Sequence, residues 1–279
     1  MKNISKERLK FLAGKAVDIR EHIINMGADA NASHSGSALS AVDVITALYF
    51  EIMNINPAKP LWPERDRFIL SKGHGGASLY AALAERGYFP KANLKTFCKD
   101  EGFLTTHPVI QNVPGVEATT GSLGHGLSIG LGMALAGKFD KKKYRVFVML
   151  SDGECDEGSV WEAAMYAGFH KIDNLVAVVD YNKIQSFGRT KEVMDLEPLA
   201  KKWEAFRWGV QEIDGHNFGE ILGALSKIPL EKGKPTCIIA HTVKGKGVSY
   251  MEDKLEWHYR SPTGDLRGKA LEELEKQRI

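Results

Sequence analysis

Two uninterrupted apolar runs limit what this chain can fold into, Val146–Leu150 and Leu175–Val179, and a third strand is clear at Thr236–Val243. An apolar run without polar alternation suits a strand buried on both faces, which means a parallel sheet between two helical layers. Helical periodicity fills the intervals, at about 158–170, 195–207 and 217–228. Weaker strands are expected at 67–70 and 209–213. Residues 5–30 carry Leu9, Leu12, Ala16, Ile19, Ile23 and Ile24 at helical spacing. Further helices are expected at about 38–53, about 77–86, up to Ala136, and from Asp265 onward. Residues 91–118, with Pro108 and Pro114, read as irregular. The expectation is an α/β fold, a doubly wound, mostly parallel sheet with helices on both faces. It occupies one domain over residues 1–279, to which the first 120 residues are additions.

Composition excludes several function classes. The net charge of +2 gives no field directed at nucleic acid or an anionic membrane. The cluster Lys141-Lys142-Lys143 reads as a solvated turn. No apolar stretch reaches the roughly 18 residues that span a bilayer. The charged start lacks the apolar segment of a signal peptide. Cys98, Cys155 and Cys237 show neither paired nor metal-ligand spacing. A cytoplasmic protein is expected.

The ends of two strand runs carry the chemistry. Asp152 opens Asp152-Gly153-Glu154-Cys155-Asp156-Glu157-Gly158, and Asn182 closes Asp180-Tyr181-Asn182-Lys183, thirty residues later. Ligands of open parallel sheets bind beyond the carboxyl ends of the strands. A single helical crossover commonly puts such strands side by side or one apart. A carboxylate and an amide oxygen there suit Mg²⁺, which takes oxygen ligands and shares them with phosphate. Gly153 lets its backbone N–H approach an anion closely, and the helix after Gly158 adds its N-terminal dipole. A helix cap at Asp152 and an ordinary turn at Asn182 remain open on these two residues alone.

Other patterns are excluded or weak. Gly121-Ser122-Leu123-Gly124-His125-Gly126 lacks dinucleotide spacing and a preceding strand. There is no Walker loop and no nucleophile elbow. Lys244-Gly245-Lys246-Gly247 follows a strand and either touches phosphate or forms a solvated turn. Four histidines, His34, His74, His107 and His258, fall in loops beside small residues and would line one polar cleft if those loops converge. Their spacing does not suit a metal cage.

Taken in order, these segments resemble transketolase. Asp152-Gly153 followed by Asn182 resembles the thiamine diphosphate motif, with Ser151 in place of its first glycine. Asp66-Arg67-Phe68-Ile69-Leu70-Ser71-Lys72-Gly73-His74 resembles the first histidine loop of that family. Pro114-Gly115-Val116-Glu117-Ala118-Thr119-Thr120-Gly121-Ser122-Leu123-Gly124 resembles its cofactor loop. Trp257-His258, after Thr242-Val243-Lys244-Gly245-Lys246-Gly247, resembles its late histidine. The matches run in family order from about residue 20 to 262.

The resemblance implies thiamine diphosphate and Mg²⁺ or Ca²⁺ as cofactors. Asp152, Asn182 and the Ile184 carbonyl would bind the metal. Gly153, His74 and His258 would contact the diphosphate, Glu154 and Lys244 would belong to the cofactor site, and Gly121, Ser122 and Leu123 would flank the cofactor. His34, His107 and His258 would face a sugar substrate and assist proton transfers, and Glu157 would sit at a subunit contact linking paired sites. The activity implied is transfer of a two-carbon ketol unit from a ketose phosphate to an aldose phosphate, as in pentose phosphate metabolism. Ser35 and His125 stand where the family commonly has Pro and Gln.

A transketolase is more than twice this length. The implied glutamate that activates the aminopyrimidine, and the arginines that grip sugar phosphate, would belong to a C-terminal partner subunit. The expectation is therefore an α2β2 assembly that self-associates through the cofactor domain, with this chain inactive alone. Two alternatives stay open. One is a related two-subunit enzyme acting on an unusual sugar or making a deoxyxylulose-phosphate-like product. The other is a cofactor-binding scaffold without catalysis.

Overall fold

A computed structural model describes residues 5–111 and 113–278. Five strands form one sheet: β1 (Arg67–Leu70), β2 (Val146–Ser151), β3 (Leu175–Tyr181), β4 (Gly209–Asp214) and β5 (Thr236–His241). Their spatial order is β1-β2-β3-β5-β4, and every pair is parallel. The strands carrying Asp152 and Asn182 are adjacent, with Val146 opposite Leu175 and Ser151 opposite Asp180.

Helices cover both faces, as the apolar runs require. The helices are α1 (Lys6–Ala30), α2 (Ser35–Ser40), α3 (Val42–Ala47), α4 (Gly76–Arg86), α5 (Gly126–Phe139), α6 (Gly158–Phe169), α7 (Thr190–Val193), α8 (Leu199–Ala205), α9 (Phe218–Leu225) and α10 (Asp265–Glu275). Alternate strand residues enter two cores. Phe68, Phe147, Met149, Val176, Val178 and Ile238 pack with residues of α1 to α4, α9 and α10. Ile69, Val146, Val148, Ala177, Val179 and Ile239 pack with residues of α5, α6 and α8. The chain moves outward from β1 to β3 through α6 on the second face. It then returns from β4 to β5 through α9 on the first, as right-handed crossovers demand.

Local sequence explains the element ends. Ser5 caps α1 by accepting from Arg8 N at 3.2 Å, and α1 stops where Asn31 turns left-handed. α5 lies close on the sheet because Gly130 has no side chain; a Cβ there would meet Val148 Cγ2 at 2.4 Å. Three expectations need correction. The helix expected at about 38–53 begins at Ser35, because His34 takes a left-handed φ of 71° and its carbonyl accepts from Ala38 N at 3.0 Å. It also breaks at Ala41 and ends in a π-helical turn at Leu48–Ile52. The helix expected from 195 starts only at Leu199, since Pro198 disfavours helix in the residue before it. The last strand ends at His241 rather than Val243, because the Val243 N–H turns away to His216 Nε2 at 2.8 Å. The charged start, Met1 to Ile4, lies outside the described residues.

Candidate active site

The carboxyl ends of β1, β2, β3 and β5 open into one cavity of about 430 Å³. Asp152 follows β2, Asn182 and Ile184 follow β3, Lys244 follows β5, and His74 follows β1. His34 and His107 arrive from loops and His258 from the 3₁₀ turn Leu255–His258, and all three line the same cavity. The convergence of the four histidines, expected only if their loops met, is therefore real.

One half of the cavity is built from charge. Asp152 is 1% exposed; its carboxylate accepts from Gly153 N at 2.7 Å and from Lys183 N at 2.5 Å. Asn182 donates Nδ2 to Asp180 at 3.4 Å and accepts on Oδ1 from Ile184 N at 3.1 Å. The Lys244 ammonium donates to the Ile184 carbonyl at 3.0 Å and to His258 Nδ1 at 2.9 Å. Burial, helped by the neighbouring Asp180 carboxylate, pushes the Asp152 carboxyl up to about 6. Burial, with Lys72 close by, pulls the Lys244 ammonium down to about 8. A Cβ at Gly153 would meet the Gln185 side chain, with Cγ at 2.9 Å.

The other half is four uncharged rings. Ring centroids lie 4.9 Å apart for His34 and His258, 5.3 Å for His34 and His74, and 6.4 Å for His34 and His107. Burial pulls His34 down to about 4, and His107 and the lysines push it the same way. Burial and the adjacent Lys244 take His258 to about 3. Burial holds His74 well below the ordinary imidazole value and lowers His107 as well. Because His258 Nδ1 accepts from Lys244, its ring proton sits on Nε2. His34 Nδ1 is buried without a hydrogen-bond partner.

Beneath the cavity lies a network that sequence patterns do not indicate. Lys72 and Asp180 form an ion pair with 0% and 1% of their surface exposed. Asp180 also accepts from Ser40 Oγ at 2.6 Å and from the Thr242 hydroxyl, and Lys72 donates to the Ser37 carbonyl at 2.8 Å. These donors and the Lys72 charge outweigh burial and keep the Asp180 carboxyl low. By holding Asn182 Nδ2, Asp180 fixes which way that amide faces.

Two expected site residues are placed elsewhere. Glu154 is fully buried outside the cavity wall, where its carboxylate accepts from the Ser71 hydroxyl, Gly124 N at 2.9 Å and Ser151 N at 3.1 Å. It ties the glycine turn to the end of β2 and makes no contact with the cavity. Ser122 is exposed and off the lining, while Gly121 and Leu123 line it. Glu157 is exposed at the cavity edge, and His125 is exposed at the start of α5. The hairpin residues Gln185, Ser186 and Phe187 complete the wall and carry no distinguishing mark in the sequence.

The donor chemistry fits a hard divalent cation with a diphosphate. Carboxylate, amide and peptide oxygens from Asp152, Asn182 and Ile184 line one cavity with an ammonium beside them. Among the described residues, no group of three or more His, Cys, Asp or Glu side chains is placed to hold a metal.

Comparison with known proteins agrees with this geometry. The family model for the transketolase thiamine diphosphate-binding domain matches residues 14–271. A 6-deoxy-6-sulfo-D-fructose transketolase subunit of Clostridium sp. strain MSTE9 is 48% identical over 244 residues, 88% of this chain and 89% of that protein. An apulose-4-phosphate transketolase subunit of Actinobacillus succinogenes is 43% identical over 276 residues, 99% of each chain. The crystal structure of Campylobacter jejuni transketolase superposes with a TM-score of 0.89 at 30% identity, covering 95% of this chain and 42% of that one. The chain thus spans less than half the length of that solved transketolase and nearly all of the subunit relatives. On these grounds it belongs to the transketolase thiamine diphosphate-binding domain family.

Proposed function

We propose that this chain is the cofactor-binding subunit of a two-chain transketolase, and that it moves a two-carbon ketol unit between sugars. The observation that carries this reading is a single cavity with an oxygen-donor trio on one side and four neutral imidazoles on the other. Asp152, Asn182 and the Ile184 carbonyl would hold Mg²⁺ or Ca²⁺. Gly153, His74, His258 and Lys244 would hold the diphosphate, with Gly121 and Leu123 beside the rings. Bound thiamine diphosphate supplies a carbanion and an electron sink for breaking a C–C bond beside a carbonyl.

The chain's own contribution is placement and proton handling. A neutral imidazole offers one donor and one acceptor, which matches a sugar hydroxyl. His34 and His107 would face those hydroxyls, and the unpaired His34 Nδ1 is free to take part. Burial keeps the rings uncharged near neutral pH, so His74 and His258 would meet the diphosphate as neutral hydrogen-bonding groups.

The named relatives support a partner chain, since proteins of this length are called transketolase subunits. They also support a specialised sugar, such as 6-deoxy-6-sulfo-D-fructose or apulose 4-phosphate, over the ordinary pentose phosphates. We propose in addition that copies of this chain associate through α5 and α6, the second of which begins after Glu157. On these two helices Phe139, Met165 and Phe169 are 89%, 56% and 64% exposed. The free cysteines, one exposed and two buried, support a cytoplasmic location. No helix among the described residues is long and apolar enough to cross a membrane.

The test is co-purification with the C-terminal partner, followed by a screen of ketose donors and aldose acceptors. Ketol transfer is expected only with both chains, Mg²⁺ and thiamine diphosphate. Transfer by this chain alone, or no cofactor binding at all, would sink the proposal.

A further inference from the structure

Lys244 is held at the cavity by a turn whose backbone is pinned from behind. Gly245 N donates to the Gly36 carbonyl at 2.9 Å. Val243 N donates to His216 Nε2 at 2.8 Å, and the Lys246 carbonyl accepts from Arg20 Nε at 3.1 Å. His216 and Arg20 meet on one carboxylate. Asp43 Oδ2 accepts from His216 Nδ1 at 2.7 Å and from Arg20 Nη2 at 2.6 Å. Asp43 and Arg20 are each 5% exposed, and the attraction of Arg20 and His216 keeps the Asp43 carboxyl low despite its burial.

This triad draws on three distant parts of the chain: Arg20 from α1, Asp43 from α3, and His216 from the turn between β4 and α9. None of the three lines the cofactor cavity. They face a second cavity of about 730 Å³ on the far side of the Lys244 turn. Because His216 Nε2 accepts from a backbone N–H, its proton must sit on Nδ1, where Asp43 takes it. One carboxylate therefore sets the tautomer of the ring that ends β5 and starts the turn.

We propose that His216 is a positioning residue for Lys244. Oriented by Asp43, it fixes the Val243 amide and so places the Lys244 ammonium at the Ile184 carbonyl and His258 Nδ1, ready to meet the diphosphate. The inference rests on the proposed cofactor site. Outer partners that orient a site residue affect ligand affinity more than the fold.

The experiment compares His216→Asn and His216→Gln in the full chain. Gln can put an acceptor where Nε2 lies, and Asn is too short to reach it. Calorimetry with Mg²⁺ and thiamine diphosphate is expected to show about 10- to 100-fold weaker binding for His216→Asn. His216→Gln should restore most of the loss. The ligand-free melting temperatures of the two variants should match, and amide exchange at Val243–Lys246 should be faster only in His216→Asn. Equal binding by His216→Asn and wild type overturns the inference, as does equal loss in both variants. Failure of the wild-type chain to bind would instead defeat the proposed function.

Discussion

The two halves of the cavity solve opposite problems with the same tool. On one side burial surrounds charges: Asp152 at 1% exposure, with Asp180 and Lys72 beneath it and Lys244 beside it. On the other, burial strips charge from four histidines, taking His34 to about 4 and His258 to about 3. Charges survive where a fixed partner or backbone donor meets each one; the imidazoles have mostly one another. His34 has a backbone link to the His258 carbonyl at 3.0 Å and an unmatched ring nitrogen. A site can thus grip an ionic group and leave neutral hydrogen-bonding capacity a few ångströms away.

The strongest challenge to this division is Asp152→Ala. It removes the sole carboxylate of the oxygen-donor trio and should abolish detectable binding of thiamine diphosphate with Mg²⁺ in calorimetry. The fold should remain, because only two backbone hydrogen bonds are lost, at about 1–3 kcal/mol each. Retained affinity would mean that the charged half does not hold the cation. Next, Lys72→Met leaves Asp180 buried and unpaired. The expected cost is about 3–5 kcal/mol in denaturant unfolding, and a loss below about 1 kcal/mol would show that the pair is not a foundation of that half.

The neutral half should respond differently. His107→Ala should lower turnover of the two-chain complex about 100-fold while cofactor affinity stays near wild type. Equal losses in turnover and affinity would merge the two halves into one function. The smallest effect concerns pH and the ligand-free chain. His34 and His258 bind protons less readily when folded than when unfolded. Their contribution to stability is complete above about 6.5 and declines as pH falls from there toward about 4. Asp152, raised to about 6, acts in the opposite direction over the same window. His74 and His107, lowered as well, act with His34 and His258 against the one raised carboxyl of Asp152, so the melting temperature should fall by a few degrees between about pH 7 and about pH 5. A rise would place the greater influence with Asp152.

The sheet and its charged end were legible because they leave local marks. A buried parallel strand is an apolar run, and the residues that terminate it, Asp152 and Asn182, stand out against it. Four histidines beside small residues also gave a signal, although only the fold could show them meeting. The Lys72–Asp180 pair left no such mark, since its members are 108 residues apart and each sits inside an ordinary-looking segment. Glu154 misled for a related reason. Its neighbours in sequence line the cavity, but the 3₁₀ turn at Gly153–Asp156 rotates it inward to meet Ser71 and Gly124. Spacing cannot report that rotation, because it depends on partners brought by other loops.

The pairing of β1 has a consequence for synthesis on the ribosome. Among the described residues its one neighbour in the sheet is β2, and Arg67 must wait for Val146. The whole stretch from β1 to Val146 is therefore translated before this ladder can form. Until then Phe68, Ile69 and Leu70, all nearly inaccessible in the finished fold, have no sheet to join. The interval between synthesis of β1 and of β2 is the stage at which these apolar residues most need protection from sticking to other chains.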